Sequence, residues 1–311
     1  MNKLIFRVGS IGDSVVSLPA FHSIKEKFIN DKVYLLCDDH ELTDGKAVSS
    51  YKIFEFFNLI DGYFTYEEKS KYKNLFSLRK FVLLNNISTV YYLMPSRSFL
   101  QKLRDYIFFR ILGLEIIGID LFSKDENLYL KNARYEPESA RLLRKLNFKS
   151  ANATQILKIK SNIHANKEVT IAIGTKHKVN DWGLENWYKL VSRLAEVPTI
   201  KFNFIGGPDD YEPTERLCSL IKDRYSNYCG ISSIADSIAT IGRSNLFIGH
   251  DSGPMHLASL TSAKIIAIYS GKNPPGIWYP QGKNINIYRA DDVKSIEPDV
   301  IFEIANKLID E

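Results

Sequence analysis

Residues 244–259, Ser-Asn-Leu-Phe-Ile-Gly-His-Asp-Ser-Gly-Pro-Met-His-Leu-Ala-Ser, constrain the fold more than any other stretch of the chain. A short apolar run stops at small and polar residues, and an apolar helical pattern follows at once. Strand, tight turn and helix in that order are the repeating unit of a parallel α/β sheet. The same order builds an anion site. Backbone N–H groups that open a helix lack partners inside it, and the helix dipole adds partial positive charge there. Asp251, Ser252 and Gly253 occupy the turn. Gly253 permits close approach to the main chain, and Pro254 suits a first helical position that needs no N–H.

A second turn of this kind lies at the N-terminus. Leu4 to Val8 reads as a buried strand, Gly9 to Ser14 as the turn, and Val15 to Phe28 as a helix with apolar spacing of three and four. The turn lacks the Gly-Lys-Ser/Thr ending of a P-loop and the glycine spacing of a dinucleotide fingerprint. What it offers is Asp13, an acid at the carboxyl end of a parallel strand, where ligands of open α/β sheets bind. Two readings stand side by side: Asp13 is a general base, or it caps the helix that follows.

Further strands are expected at Val33–Cys37 and Val90–Leu93 in the first half, and at Val169–Ile173, Phe202–Ile205, Leu246–Ile248 and Ile265–Tyr269 in the second. Residues 38–75 read as loops and short helices, 150–167 as an interdomain linker, and Pro298 to Ile309 as a closing helix. The length of 311 residues, 45% hydrophobic, suits two domains of about 150 residues each. No apolar run is long enough to span a bilayer, and the first residues lack a signal-peptide pattern, so a cytoplasmic protein is expected. Three cysteines at no metal-ligand spacing read as reduced thiols, and no metal or cofactor is expected.

Charge is uneven. Residues 1–150 hold 23 Lys and Arg against 18 Asp and Glu, whereas 151–311 hold 18 against 18, so the net +5 belongs to the first half. An anionic partner should meet that half; nucleic acid is not the expected one. Ser96 to Gly113 concentrates the cations, with Arg97, Lys102, Arg104 and Arg110 among Phe99, Tyr106, Phe108 and Phe109. This segment suits anionic headgroups or a phosphorylated glycolipid, and equally a core helix with a solvated basic face.

Gly12-Asp13 with Leu18-Pro19-Ala20, Gly174 with Trp182, Glu185 and Trp187, Ile205-Gly206-Gly207-Pro208, and Asp251-Ser252-Gly253-Pro254-Met255-His256-Leu257-Ala258 occur here in an order that resembles glycosyltransferase family 9, which contains the lipopolysaccharide heptosyltransferases. The resemblance spans roughly residues 4 to 285. It implies an α/β fold of the GT-B type, two Rossmann-like domains with parallel sheets facing a cleft: an acceptor domain over 1–155, a donor domain over 165–290, and a tail over 291–311 whose helix packs back on the first domain. It implies an inverting, metal-independent transfer from a nucleotide-sugar donor, ADP-heptose or another, to an anionic glycolipid or oligosaccharide such as the lipopolysaccharide core, at the cytoplasmic face of the inner membrane. Asp13 would be the base, with Gly12, Ser10, Arg97 and Arg104 toward the acceptor. Asp251, Ser252, Gly253, His256, Thr175, Lys176, Lys178 and Asn180 would hold the donor phosphates, and Asp209, Ile231 and Ser232 the ribose and base.

One departure stands out. The family commonly has a lysine two residues before the tryptophan at 182, where this chain has Asn180. Either Lys176 or Lys178 replaces it, or main-chain donors and Asn180 act alone. Asp209 is alternatively a plain acidic turn. A non-catalytic nucleotide-sugar binder, and an epimerase or hydrolase of similar build, are the competing functions.

Overall fold

The computed structural model describes residues 1–38, 49–66, 71–122, 126–130, 134–148, 167–282 and 284–310. The chain forms two compact units, Met1–Ala153 and Thr154–Glu311. The expected linker at 150–167 falls almost wholly outside the described residues.

In the first unit, β1 (Asn2–Phe6), β2 (Val33–Asp38), β3 (Gly62–Tyr66), β4 (Ile87–Tyr92) and β5 (Glu115–Ile117) form a five-stranded sheet in the order β3-β2-β1-β4-β5. Every pairing in it is parallel. Helices α1 (Ile11–Lys27), α2 (Tyr51–Phe56), α3 (Lys71–Leu84), α4 (Phe99–Ile111) and α5 (Glu138–Lys145) accompany it, with a short hairpin of β6 (Tyr129–Leu130) and β7 (Arg134–Tyr135). Leu4, Phe6, Tyr34, Leu36, Val90 and Tyr92 from the strands pack with Leu78 and Val82 from α3, Phe109 from α4 and Leu112 just beyond it. These central strands are buried on both faces, which is why they read as unbroken apolar runs.

The second unit repeats the plan. Strands β8 (Glu168–Ala172), β9 (Lys201–Phe204), β10 (Tyr225–Asn227), β11 (Leu246–His250), β12 (Lys264–Ser270) and β13 (Ile285–Ala290) lie in the order β10-β9-β8-β11-β12-β13, again all parallel. Its helices are α6 (Leu184–Ala195), α7 (Tyr211–Cys218), α8 (Ile234–Arg243), α9 (Gly253–Ala258) and α10 (Pro298–Asp310). Trp182 and Trp187 meet edge to face at 4.9 Å in its core.

Two expectations are corrected. Residues 38–75, read as loops and short helices, contain the short helix α2 but also strand β3, which pairs with β2 over five positions; an edge strand of Gly, Tyr, Phe and Thr lacks the aliphatic run that marks a central one. Helix α1 begins at Ile11 rather than Val15, so Gly12 and Asp13 are helical. The closing helix expected at Pro298 to Ile309 is α10, within the second unit, where Ile301, Ala305 and Ile309 enter the core and Lys264 Nζ donates to the Leu308 carbonyl at 2.7 Å.

Candidate functional site

Each sheet reverses its strand order once, between β1 and β4 and between β8 and β11. Ligands of open α/β sheets bind at the carboxyl ends of strands at such points. Asp13 stands just beyond β1. Asn180 follows β8, and Asp251 follows β11.

Asp13 is the third residue of α1. Its Oδ2 accepts from the Ser10 N–H and the Ser10 hydroxyl, each at 3.0 Å, and Oδ1 accepts from Arg7 Nη2 at 3.3 Å. The carboxylate therefore caps its own helix, yet 24% of its side chain stays exposed. Gly9 has a φ of +134°, and a Cβ there would come within 2.5 Å of the Asp13 carboxyl carbon. Only glycine fits.

Beneath this turn lies a buried charge network that sequence reading did not find. The Arg7 guanidinium donates to the carbonyls of Leu93 and Asp13 at 2.6 and 2.8 Å and lies 3.8 Å from Glu138. Glu138 in turn receives a two-pronged contact from Arg141 Nε and Nη2, both 2.7 Å, and Arg141 reaches the Met94 carbonyl. Burial lowers the Arg7 pKa, while Asp13 and Glu138 raise it. Glu138 and Arg141 sit three apart on α5, a spacing that sequence alone cannot tell from a surface pair.

In the second unit, the turns after β8, β11 and β12 converge. Asp251 Oδ2 accepts from Asn273 Nδ2 at 3.0 Å and from Asn180 Nδ2 at 3.4 Å, and Asn273 also donates to Asn180 Oδ1 at 3.3 Å. Asn180 is buried while Lys176 and Lys178 are exposed, with Thr175 half-buried on the same loop. Asn180 thus ties the β8 loop to the β11 turn by neutral amide contacts. Burial pushes the Asp251 carboxyl up to about 6, against the Asn273 hydrogen bond and His177. Asn273 belongs to no recognisable motif, and only the fold brings it here.

Ser252 opens α9, its hydroxyl donating to the His250 carbonyl at 3.3 Å, and Gly253 and His256 follow in that helix, His256 with its side chain buried. At six residues α9 is short, so its dipole adds less than a long helix would. His250 is structural: its Nε2 accepts the Trp182 N–H at 3.0 Å, its ring meets Trp187 edge to face, and burial pulls its pKa down to about 4.

The turn after β9 holds Asp210, one residue from the acid singled out in the sequence. Asp210 Oδ2 accepts the Gly207 N–H at 2.8 Å, and a Cβ on Gly174 would lie 2.1 Å from that oxygen. Asp209 is exposed beside it. A Cβ on Gly230 would come 2.7 Å from Pro208 Cα, so the turn after neighbouring β10 packs directly on this one. On that neighbouring turn Ile231 is exposed, and the Ser232 hydroxyl meets that of Ser237 at 2.9 Å.

The two arginines expected to face an acceptor are already engaged. Arg97 Nη1 and Tyr92 Oη donate to Asp105 Oδ2 at 2.8 and 2.7 Å, and Arg104 reaches Oδ1 at 2.7 Å, leaving the Arg104 side chain 66% exposed. Lys102 is buried on the Asp120 carbonyl, and Phe109 is core. Among the described residues no helix is long and apolar enough to cross a membrane.

Two parallel sheets of Rossmann-like order, each with a polar turn at its switch point, define a two-unit α/β protein of the GT-B class. The model of glycosyltransferase family 9 (heptosyltransferase) matches residues 119–300, more than half of the chain. The protein belongs to glycosyltransferase family 9. It is similar to Escherichia coli heptosyltransferase WaaC, whose structure with ADP superposes with a TM-score of 0.74 at 15% identity, covering 99% of this chain and 100% of that one. A family 9 glycosyltransferase from Veillonella parvula superposes with a TM-score of 0.73 at 15% identity, covering 99% and 97%. The lipopolysaccharide core heptosyltransferase OpsX of Haemophilus influenzae is 26% identical over 110 residues, 35% of this chain and 31% of its own length. That match therefore spans about a third of the curated relative.

Proposed function

We propose that the protein transfers a sugar, heptose or a related one, from a nucleotide-diphosphate donor to an anionic glycolipid or oligosaccharide of the lipopolysaccharide-core type, with inversion and without a metal. An acceptor hydroxyl gives its proton to Asp13 as its oxygen bonds to the anomeric carbon, and the nucleoside diphosphate departs with the electron pair of the broken bond. The main-chain N–H groups that open α9 and the amides of Asn180 and Asn273 meet the diphosphate, with Ser252, Gly253 and His256 beside them. Lys176 and Lys178 supply mobile positive charge from the β8 loop. Ile231, Ser232 and Asp209 receive base and ribose.

The observation that carries this reading is the pairing of family membership with a carboxylate held by Ser10 and Arg7 yet still open to solvent. The similar WaaC structure was solved with ADP, which favours an adenine nucleotide as the leaving group. The acceptor's lipid places the work at the cytoplasmic face of a membrane. Thermal-shift binding against ADP-, GDP-, UDP- and dTDP-sugars tests it. Selective stabilisation by one nucleotide class, retained in Asp13→Asn and weakened in Asn273→Ala, is the expected result. No stabilisation by any nucleotide sugar would overturn it.

A further inference from the structure

We propose that the outer faces of α3 and α4 form a docking surface for an anionic lipid bilayer. Both helices cover the same side of the first sheet: Phe81 of α3 packs edge-on against Tyr34 of β2 at 5.5 Å, and Phe109 of α4 against Phe6 of β1 at 5.2 Å. With their inner faces in the core, their outer faces ought to be polar. They are not. Phe76 and Leu83 on α3 are 75% and 70% exposed, and Leu100 and Ile111 on α4 are 74% and 66% exposed. Leu100, Arg104, Ile107 and Ile111 follow helical spacing along one stripe, as do Phe76, Lys80 and Leu83.

The charge on these helices decides the occupant. Helix α3 contains no acidic residue, and the sole acid of α4, Asp105, is buried under Arg97 and Arg104. The exposed charges between the apolar side chains are Arg79, Lys80, Arg104 and Arg110, all cationic. A second copy of the chain docking by two-fold symmetry would set this face against itself, cation against cation. An anionic headgroup layer accepts the cations while its acyl boundary takes the apolar side chains. Phe122, 90% exposed and 6.3 Å from the Phe99 ring, extends the apolar surface at the carboxyl end of the sheet, the same end as Asp13. The proposal rests on the glycolipid-acceptor reading for its purpose, and on this surface alone for its geometry.

Co-sedimentation of the full chain with phosphatidylcholine vesicles, with and without about a third phosphatidylglycerol, tests it. The wild type is expected to bind the anionic vesicles and lose them as salt rises. Arg79→Gln, Lys80→Gln and Arg110→Gln combined should weaken binding by about fivefold per cation removed. Phe76→Ser, Leu83→Ser and Leu100→Ser combined should abolish it at unchanged thermal unfolding temperature. Equal binding to neutral vesicles, unchanged binding by either variant, or a wild-type dimer in light scattering that the serine variant dissociates would each overturn the proposal. Donor binding by the same variants separates the two readings: it stays at the wild-type level if only the surface is altered. Vesicle binding without any nucleotide-sugar binding would leave the docking surface standing and remove the transferase reading.

Discussion

Each unit holds a carboxylate at the switch point of its sheet, Asp13 after β1 and Asp251 after β11, and the two are held in opposite ways. Asp13 is supported by full charges: Arg7 touches it, and Glu138 and Arg141 complete the network behind. Asp251 accepts side-chain hydrogen bonds from the neutral amides of Asn180 and Asn273. In the proposed transfer, the base gains from a fixed cation behind it, which keeps its carboxylate aimed. In the same proposal, a carboxylate beside the incoming diphosphate is a liability while ionised. Burial raises the Asp251 pKa to about 6, against the Asn273 hydrogen bond and His177, and the neutral amides add no full charge to hold it ionised.

The largest expected effect tests the charged side of that comparison. Glu138→Ala strips Arg141 and Arg7 of a buried counter-ion, and breaking such a pair from one side costs about 3–5 kcal/mol. Urea unfolding should show a loss of that size. A loss below about 1 kcal/mol would mean that the network is solvated in solution and does not brace Asp13.

Asp13→Asn keeps the shape and the Ser10 contacts while removing the base. Sugar transfer should fall by about a hundredfold to ten-thousandfold, with donor affinity unchanged within about twofold. A transfer rate within tenfold of wild type would hand Asp13 back to helix capping.

Much of the frame of this comparison was legible in the chain, and its content was not. Central strands announce themselves as apolar runs because both faces are buried, so Leu4–Phe6, Val33–Cys37 and Leu246–Ile248 were readable. Asp13 and the Asp251 turn stand directly at strand ends, and strand ends are local features. Glu138 reaches Arg7 across 131 positions of sequence, Arg141 reaches Met94 across 47 and Asn273 reaches Asp251 across 22, and no spacing rule reports such pairs. Within the basic stretch at 97–110 the sequence did not show that Asp105 takes hydrogen bonds from Arg97 and Arg104, nor that the exposed apolar stripe beside it continues on α3, a separate helix. Asp209 and Asp210 differ only in which one a turn rotates inward.

Asn273→Ala sharpens the neutral side. Asp251 would keep only the longer contact from Asn180, and losing a hydrogen bond to a buried carboxylate costs about 1–3 kcal/mol. Donor affinity should drop about tenfold, measured by calorimetry, with Asn273→Gln restoring part of it. If the alanine variant binds donor as wild type does, Asp251 is positioned by the main chain, and the contrast between the units lies in their cations alone.

The smallest effect is the most specific, because it reads the Asp251 proton itself. Burial raises this carboxyl from the ordinary 3.8 to about 6, so between those values the folded chain carries a proton that the unfolded chain has lost. The resulting stability is full below about pH 4 and is lost as pH rises through about 6, amounting to at most about 2 kcal/mol after allowing for partial exposure. Asp251→Asn cannot titrate, so the stability difference between wild type and variant should shrink in favour of the variant as the pH climbs from 4 to 7. His177 and Tyr269 also face this carboxyl: His177 opposes the shift, and Asp251 in turn raises the Tyr269 pKa, so the comparison is made variant against wild type at each pH. A bound diphosphate adds negative charge and drives the proton back on, so wild-type donor affinity should fall between pH 6 and 8 while that of Asp251→Asn stays level. Parallel pH profiles for the two proteins would show that Asp251 is ionised throughout, and that the second unit tolerates at its switch point the same bare charge that the first unit uses.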